Sequence, residues 1–153
     1  MHRFGHPREL GAVAGRSLGV GPWREVTPTA VARFARATGD AQWIHLDADR
    51  AAAGPFGAPV AHGFLTLSML PALISEIVEV GGVDWVVNKG LGRVRFGAPV
   101  PVGGRVRLAL RLAGLRPRPR AFWEAEFAAT VEVDGCADPA CRADLTLLYR
   151  AIH

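Results

Sequence analysis

The 153-residue chain has only two cysteines and a single lysine. Cys136 and Cys141 lie close together, with no histidine or further cysteine beside them, so they do not have the ligand spacing of a zinc site. Free thiols are the expected state in a reducing compartment, and a local disulfide between the two is the alternative. The other basic residues are arginines, and the formal charge is +4.

The chain also lacks a recognisable targeting or membrane-spanning segment. Residues 1–10 contain no apolar run of the kind found in secretory signal peptides. The uncharged stretch at residues 51–75 is interrupted by Pro55, Pro59 and Pro71, which argues against a membrane helix. We therefore expect a cytoplasmic protein that does not bind membranes.

The arginines do not form a nucleic-acid-binding pattern. They alternate along predicted strands instead of clustering with aromatic residues, and the spacing of a helix-turn-helix or a zinc finger is missing. Nucleic acid is therefore not an expected partner. The positive charge is compatible with a phosphate-bearing ligand such as coenzyme A.

Local patterns in the first 40 residues predict one helix. Residues 1–14 have no hydrophobic period and are expected to form a loosely ordered arm. Residues 18–26 predict a short edge segment, since Pro22 cannot donate a ladder hydrogen bond. Thr27 is a good N-cap for a helix that ends at Gly39, which tolerates a left-handed backbone.

The rest of the chain predicts an α+β fold. Asp47 is placed to cap a short helix, and residues 62–80 are apolar almost all round a helical projection, which predicts a helix buried on most sides and kinked at Pro71. Beyond Gly82 the period changes to two, with predicted strands at residues 83–87, 93–96, 105–112, 123–132 and 144–150. Each strand has one apolar and one charged face, so we expect an antiparallel sheet covered on one side.

The residues with the clearest chemistry are Asp40 and His45, which directly follow the predicted end of the first helix. A carboxylate and an imidazole can share one water and move its proton, although an isolated pair of this kind is more often structural. A second stretch, Ala-His-Gly-Phe-Leu at residues 61–65, begins the apolar helix. The free N–H groups at a helix N-terminus can hold an oxygen on which negative charge develops.

Three motifs together closely resemble the MaoC-like hydratases, also called (R)-specific enoyl-CoA hydratases. They are Thr-Gly-Asp-x-x-x-x-His at residues 38–45, Val-Ala-His-Gly-Phe-Leu at residues 60–65, and Lys-Gly-Leu-Gly-Arg-Val-Arg-Phe-Gly-Ala-Pro-Val at residues 89–100. The resemblance implies a hot-dog fold, in which a curved antiparallel sheet wraps around a central apolar helix, in a single domain over residues 1–153. Gln42-Trp43 replaces the common Asn-Pro, which is similar to the nodulation-protein-N-like subgroup.

The resemblance also implies a reaction, the reversible addition of water to a trans-2-enoyl thioester in fatty acid metabolism. Asp40 and His45 would activate the water, and the N–H of Gly63 would help to hold the thioester oxygen. Proteins of this kind form homodimers or larger assemblies with the site at the subunit interface. No metal and no other cofactor is implied, because the coenzyme A or acyl-carrier-protein thioester is itself the substrate.

Further residues are expected to line the substrate site. The candidates are Gln42, Trp43, Phe56, His62, Phe64, Arg93 and Arg95. Arg93 and Arg95 would contact the coenzyme A phosphates, although both are equally compatible with solvated strand positions. His62 is expected to orient its loop without transferring a proton.

Two other functions remain open from the sequence. One is a hot-dog acyl-CoA thioesterase, which would direct water at the thioester carbonyl. The other is a non-catalytic acyl-binding subunit of a heterodimeric dehydratase. The spacing of Asp40 and His45 favours the hydratase, and the presence of both residues argues against the non-catalytic subunit.

Overall fold

The structure is a computed structural model that describes residues 1–152. Its helices are α1 (Pro28–Thr38), α2 (Trp43–Leu46), α3 (Ala48–Ala52), α4 (Gly63–Ser68) and α5 (Leu70–Ser75), with a 3-10 helix at Pro7–Val13. Its strands are β1 (His2–Phe4), β2 (Ser17–Val20), β3 (Arg24–Glu25), β4 (Val78–Val80), β5 (Val83–Phe96), β6 (Arg105–Arg118), β7 (Phe122–Val133) and β8 (Cys141–Ala151). Among the described residues, none of the helices combines the length and the apolar character that crossing a membrane requires.

The predicted antiparallel sheet is present and has six strands. Its order is β2-β6-β7-β8-β5, and β3 also pairs with β6, so β2 and β5 lie at the two edges. The two strand segments predicted at residues 83–87 and 93–96 are one strand, β5, whose register against β8 shifts at three places. Leu108 and Phe127 lie on the buried face, whereas Arg107 and Glu132 pair across the other face, with 2.6 Å between Nε and Oε2.

Helix α1 has the predicted ends. The Thr27 Oγ1 accepts a hydrogen bond from the N–H of Ala30 at 3.1 Å, and Gly39 ends the helix with a left-handed backbone, φ 79°. Val31 and Ala35 are buried against the rest of the protein. Asp40 therefore begins the irregular segment that follows a helix fixed at both ends.

The prediction of one long helix over residues 62–80 is wrong in its extent. The chain forms two helices of six residues, α4 and α5, and then β4. Pro71 lies in the first turn of α5 and has no N–H with which to continue a helical ladder from α4, which separates the two. The helices are also less buried than expected. Leu70, Leu73 and Ile74 lie in the core, but the side chain of Phe64 is 66% exposed.

The expectation of a loosely ordered arm at residues 1–14 is also wrong. β1 pairs in parallel with β4, and the 3-10 helix buries Leu10 completely. The segment shows no hydrophobic period because its order comes from pairing with a strand more than seventy residues away. Such a contact leaves no local pattern in the sequence.

The two cysteines are both free thiols in the structure. Cys136 is exposed, and Cys141 is buried at the start of β8. Burial raises the pKa of the Cys141 thiol, because the charged thiolate is disfavoured away from water.

Candidate active site

Asp40 and His45 lie close to each other at the end of α1. Asp40 follows the left-handed Gly39, and His45 lies in the short helix α2, which the sequence did not predict. The distance from Asp40 Oδ2 to His45 Nε2 is 4.0 Å. His45 is buried, whereas the side chain of Asp40 is 41% exposed, so one group belongs to the wall of the site and the other is open to water.

The main chain at Val60 orients the ring of His45. The Nδ1 of His45 is 2.5 Å from the carbonyl oxygen of Val60. A carbonyl oxygen can only accept a hydrogen bond, so in this contact Nδ1 carries the hydrogen. When the ring is neutral, the Nε2 that faces Asp40 is its unprotonated nitrogen and can accept a proton.

His62 contacts both members of this pair. Its Nε2 is 2.8 Å from the main-chain oxygen of Asp40, and its ring stacks on that of His45 with 3.7 Å between centroids. It also directly precedes Gly63, the first residue of α4. The three residues with predicted catalytic roles are therefore joined through one histidine.

Gly63 is placed to offer its N–H group. The first N–H groups of a helix have no carbonyl partner within the helix, and Gly63 is the first residue of α4. A Cβ at Gly63 would lie 3.0 Å from Cδ1 of Phe96, so a larger residue would press on that ring. Phe96 also packs edge-on against Phe64 at 5.8 Å. Sequence reasoning did not single out Phe96 as a site residue, because its approach to Gly63 joins distant parts of the chain.

Among the predicted substrate-binding residues, Gln42 lies at the pair. Its Nε2 donates to Oδ1 of Asp40 at 3.2 Å. The Trp43 ring is covered by the guanidinium of Arg50, 4.3 Å from its centroid, and its edge abuts Gly54. The side chain of Phe56 is 48% exposed.

Arg93 and Arg95 lie on β5 and make local contacts. Arg93 Nε is 2.7 Å from Oδ2 of Asp144 on the neighbouring strand β8. Arg95 donates to the carbonyl oxygen of Val94 at 3.0 Å. Within residues 1–152 neither arginine bonds to Asp40 or His45, and their contact with coenzyme A stays a prediction.

The site also groups three residues of the types that ligate metals. Asp40, His45 and His62 each offer a ligand atom, and these atoms lie within 4.8 Å of one another. However, Nδ1 of His45 and Nε2 of His62 are already bonded to carbonyl oxygens. The carboxylate of Asp40, Nε2 of His45 and Nδ1 of His62 remain, and the absence of a metal stays a prediction.

Two cavities lie between the helices and the edge strand β5. One, of about 360 Å³, is lined by Leu67, Leu70, Leu91 and Leu145 among others. The second, of about 420 Å³, shares Pro71 and Asn88 with the first and extends to Val80, Val86 and Tyr149. Neither is lined by Asp40 or His45. Both open beside the edge of β5, which pairs with no further strand among residues 1–152.

The chain is similar to known proteins over most of its length. Residues 9–134 match the family model described as MaoC like domain. The 3-hydroxyacyl-thioester dehydratase Z of Mycobacterium tuberculosis is 47% identical over 151 residues, which cover 99% of this chain and 100% of that protein. Nodulation protein N of Rhizobium leguminosarum bv. viciae is 39% identical over 132 residues, 85% of this chain and 82% of that protein.

Solved structures show the same fold. The unliganded R-hydratase of Pseudomonas aeruginosa superposes with a TM-score of 0.70 at 21% identity, covering 92% of this chain and 82% of that chain. The predicted hot-dog fold is therefore confirmed, and so is the resemblance to the nodulation-protein-N-like subgroup.

Proposed function

This chain belongs to the MaoC-like family of hydratases and dehydratases, and from that premise we propose that Asp40 and His45 catalyse the reversible addition of water to a trans-2-enoyl thioester. The chain is accordingly a hydro-lyase. The observation that carries the proposed mechanism is the 4.0 Å separation of Asp40 Oδ2 and His45 Nε2. That distance is too long for a direct hydrogen bond and leaves both atoms available to one water.

One water can donate a hydrogen to each of these acceptors. A carboxylate accepts only, and the neutral His45 accepts at Nε2. The water oxygen then has a lone pair free to bond to the β-carbon of the enoyl group. The proton that it loses passes through the Asp40–His45 pair to the α-carbon, so that the elements of water are added and the pair returns to its starting state.

The N–H of Gly63 is proposed to stabilise the thioester oxygen. Negative charge develops on this oxygen as the water attacks, and a preorganised backbone donor stabilises the transition state more than the ground state. The missing side chain at Gly63 is what lets the Phe96 ring lie against the first turn of α4. We propose Phe96 and Phe64 as part of the wall beside the reacting carbons.

A spectroscopic assay separates this reaction from thioester hydrolysis. The protein is incubated with a short trans-2-enoyl-CoA while the absorbance of the conjugated double bond and the free thiol are followed in parallel. Loss of the conjugated absorbance without thiol release supports hydration. Thiol release would favour the thioesterase, and binding without turnover would favour a non-catalytic subunit. Chiral analysis of the product tests the (R) configuration, which is proposed from the motif resemblance alone.

Two kinds of partner are proposed, the carrier of the thioester and a second copy of the chain. The substrate is the thioester of coenzyme A or of an acyl carrier protein, and comparing rates with the two forms decides between them. We also propose a homodimer, because β5 is an unpaired edge strand with several half-exposed apolar side chains. These are Trp85, Val86, Val87, Leu91 and Phe96. A location in the cytoplasm stays a prediction.

A further inference from the structure

The side chain of His62 is enclosed between two other rings. Only 3% of the residue is exposed. One neighbour is His45, stacked at 3.7 Å with 25° between the ring planes, and the other is Phe34 of α1, tilted at 5.0 Å between centroids. The ring has little surface left for a ligand, so this geometry does not support the expectation that His62 binds substrate.

Within the described part of the chain, the His62 ring makes one hydrogen bond, to the main chain of Asp40. Because a carbonyl oxygen only accepts, Nε2 of His62 carries the hydrogen and donates it across 2.8 Å. This bond restrains the Asp40 main chain at the point where the chain leaves α1. The other nitrogen, Nδ1, carries no hydrogen when the ring is neutral.

The Nδ1 of His62 is buried and has no hydrogen-bond partner among the described residues. A buried polar atom without a partner lowers the stability of the folded protein, so its presence requires an explanation. A phenylalanine has a similar ring and would avoid this cost. The fold alone therefore does not explain an imidazole here, whereas the contacts of its ring face and of Nε2 with Asp40 and His45 do.

We propose that His62 is a positioning residue for the hydration reaction, an inference that rests on the proposed function. Its donor fixes the main chain of Asp40 and its ring face fixes the plane of the His45 imidazole. Together these contacts keep the carboxylate and Nε2 at the separation that one water can span. Because His62 directly precedes Gly63, fixing its position also restrains the N–H group at the start of α4.

Two substitutions of His62 each remove one of its two contacts and keep the other. His62→Phe keeps a stacking ring and loses the donor to Asp40, whereas His62→Gln keeps an amide donor and loses the ring. We expect each to lower kcat at least tenfold while KM changes less than about threefold, since neither contact is with the substrate. The midpoint of thermal unfolding of His62→Phe should stay close to that of the wild type, because removal of the unpartnered Nδ1 offsets the loss of the bond to the Asp40 carbonyl.

His2→Phe is a matched control. The Nε2 of His2 is 2.9 Å from the carbonyl oxygen of Leu18, and its ring stacks on Phe4, so the same kind of bond is removed outside the site. This variant should keep the wild-type kcat. A structural role for His62 predicts instead that kcat and thermal stability fall together in both His62 variants.

The outcomes separate this inference from the function on which it rests. An active wild type with undiminished kcat in either His62 variant refutes the positioning role and leaves the hydratase intact. A wild type that hydrates no enoyl thioester refutes the proposed function, and the positioning role with it. Reduced kcat at unchanged stability in both variants, with normal activity in His2→Phe, supports the positioning role.

Discussion

At the scale of single residues, the proposed mechanism requires both Asp40 and His45. Asp40→Asn keeps the shape of the side chain but removes the charge, and His45→Gln removes the nitrogen that faces it. Each should lower kcat by on the order of 10²–10⁴, because general acid–base catalysis is lost while the Gly63 N–H remains. Steady-state rates with a short trans-2-enoyl-CoA measure the effect.

Asp47→Asn provides the matched control for the loss of a carboxylate. Its Oδ1 accepts a hydrogen bond from the N–H of Arg50 at 3.0 Å and caps α3, and an asparagine can make the same bond. Its rate should therefore stay near that of the wild type. Wild-type rates in both Asp40→Asn and His45→Gln, with normal circular dichroism, would remove the pair from the mechanism.

At the scale of the element, the position of Asp40 depends on how α1 ends. Gly39 has φ 79°, and a Cβ added there would have no atom within 4 Å, so the penalty for a substitution is backbone strain alone. Gly39→Ala should lower the free energy of unfolding by about 1 kcal/mol, and relief of the strain would shift Asp40. We expect a lower kcat as well, measured together with chemical denaturation.

Gly39→Asn tests whether the backbone conformation is the cause. Asparagine adopts the left-handed conformation at helix ends more readily than alanine does. It should therefore recover part of both the stability and the rate. Equal losses in the two variants would show that the left-handed turn is not what positions Asp40.

Sequence reasoning succeeded where the determining interactions are local. The ends of α1 were predictable because Thr27 and Gly39 act on their own neighbours. The division of residues 62–80 was missed because β4 exists only through its pairing with β1. Asp40 and His45 were predicted from motifs that resemble the MaoC-like hydratases, whereas the carbonyl of Val60 and the ring of Phe96 have no distinguishing sequence pattern.

At the scale of the whole molecule, a buried carboxylate links three strands and makes stability depend on pH. Glu124 on β7 accepts two hydrogen bonds of 3.0 Å from Arg118 and another from Lys89 on β5. The Arg118 and Lys89 donors lower the pKa of Glu124 to about 2. A lowered pKa in the folded state gives stability that is present above the pKa of the unfolded chain, about 4.3, and is lost as the pH falls.

The free energy of unfolding should therefore decrease as the pH falls from about 4.5 towards 2, with a contribution from Glu124 on the order of 1–3 kcal/mol. Glu124→Gln should have a lower free energy of unfolding at neutral pH. This free energy should also fall less steeply as the pH is lowered, which chemical denaturation at a series of pH values measures. Glu79→Gln is the control, because the Glu79–Arg3 pair is exposed and such pairs stabilise little. A decrease in Glu124→Gln as steep as that of the wild type would contradict this assignment.

The last prediction concerns the two edges of the sheet, which differ in what they expose. Leu91 on β5 and Val20 on β2 are exposed to a similar extent, 49% and 51%. Only the β5 edge continues into the apolar cavities beside α4 and α5, so a second copy of the chain would bury far more apolar surface there. Leu91→Lys should therefore weaken the proposed homodimer at least tenfold, because the lysine charge would lose its water at the interface.

Val20→Lys introduces the same charge at the opposite edge and should leave association unchanged. Sedimentation velocity over a concentration series measures both variants, and circular dichroism checks that each remains folded. If Val20→Lys dissociates and Leu91→Lys does not, the interface lies at β2 instead. A wild type that sediments as a monomer at every concentration would remove the homodimer.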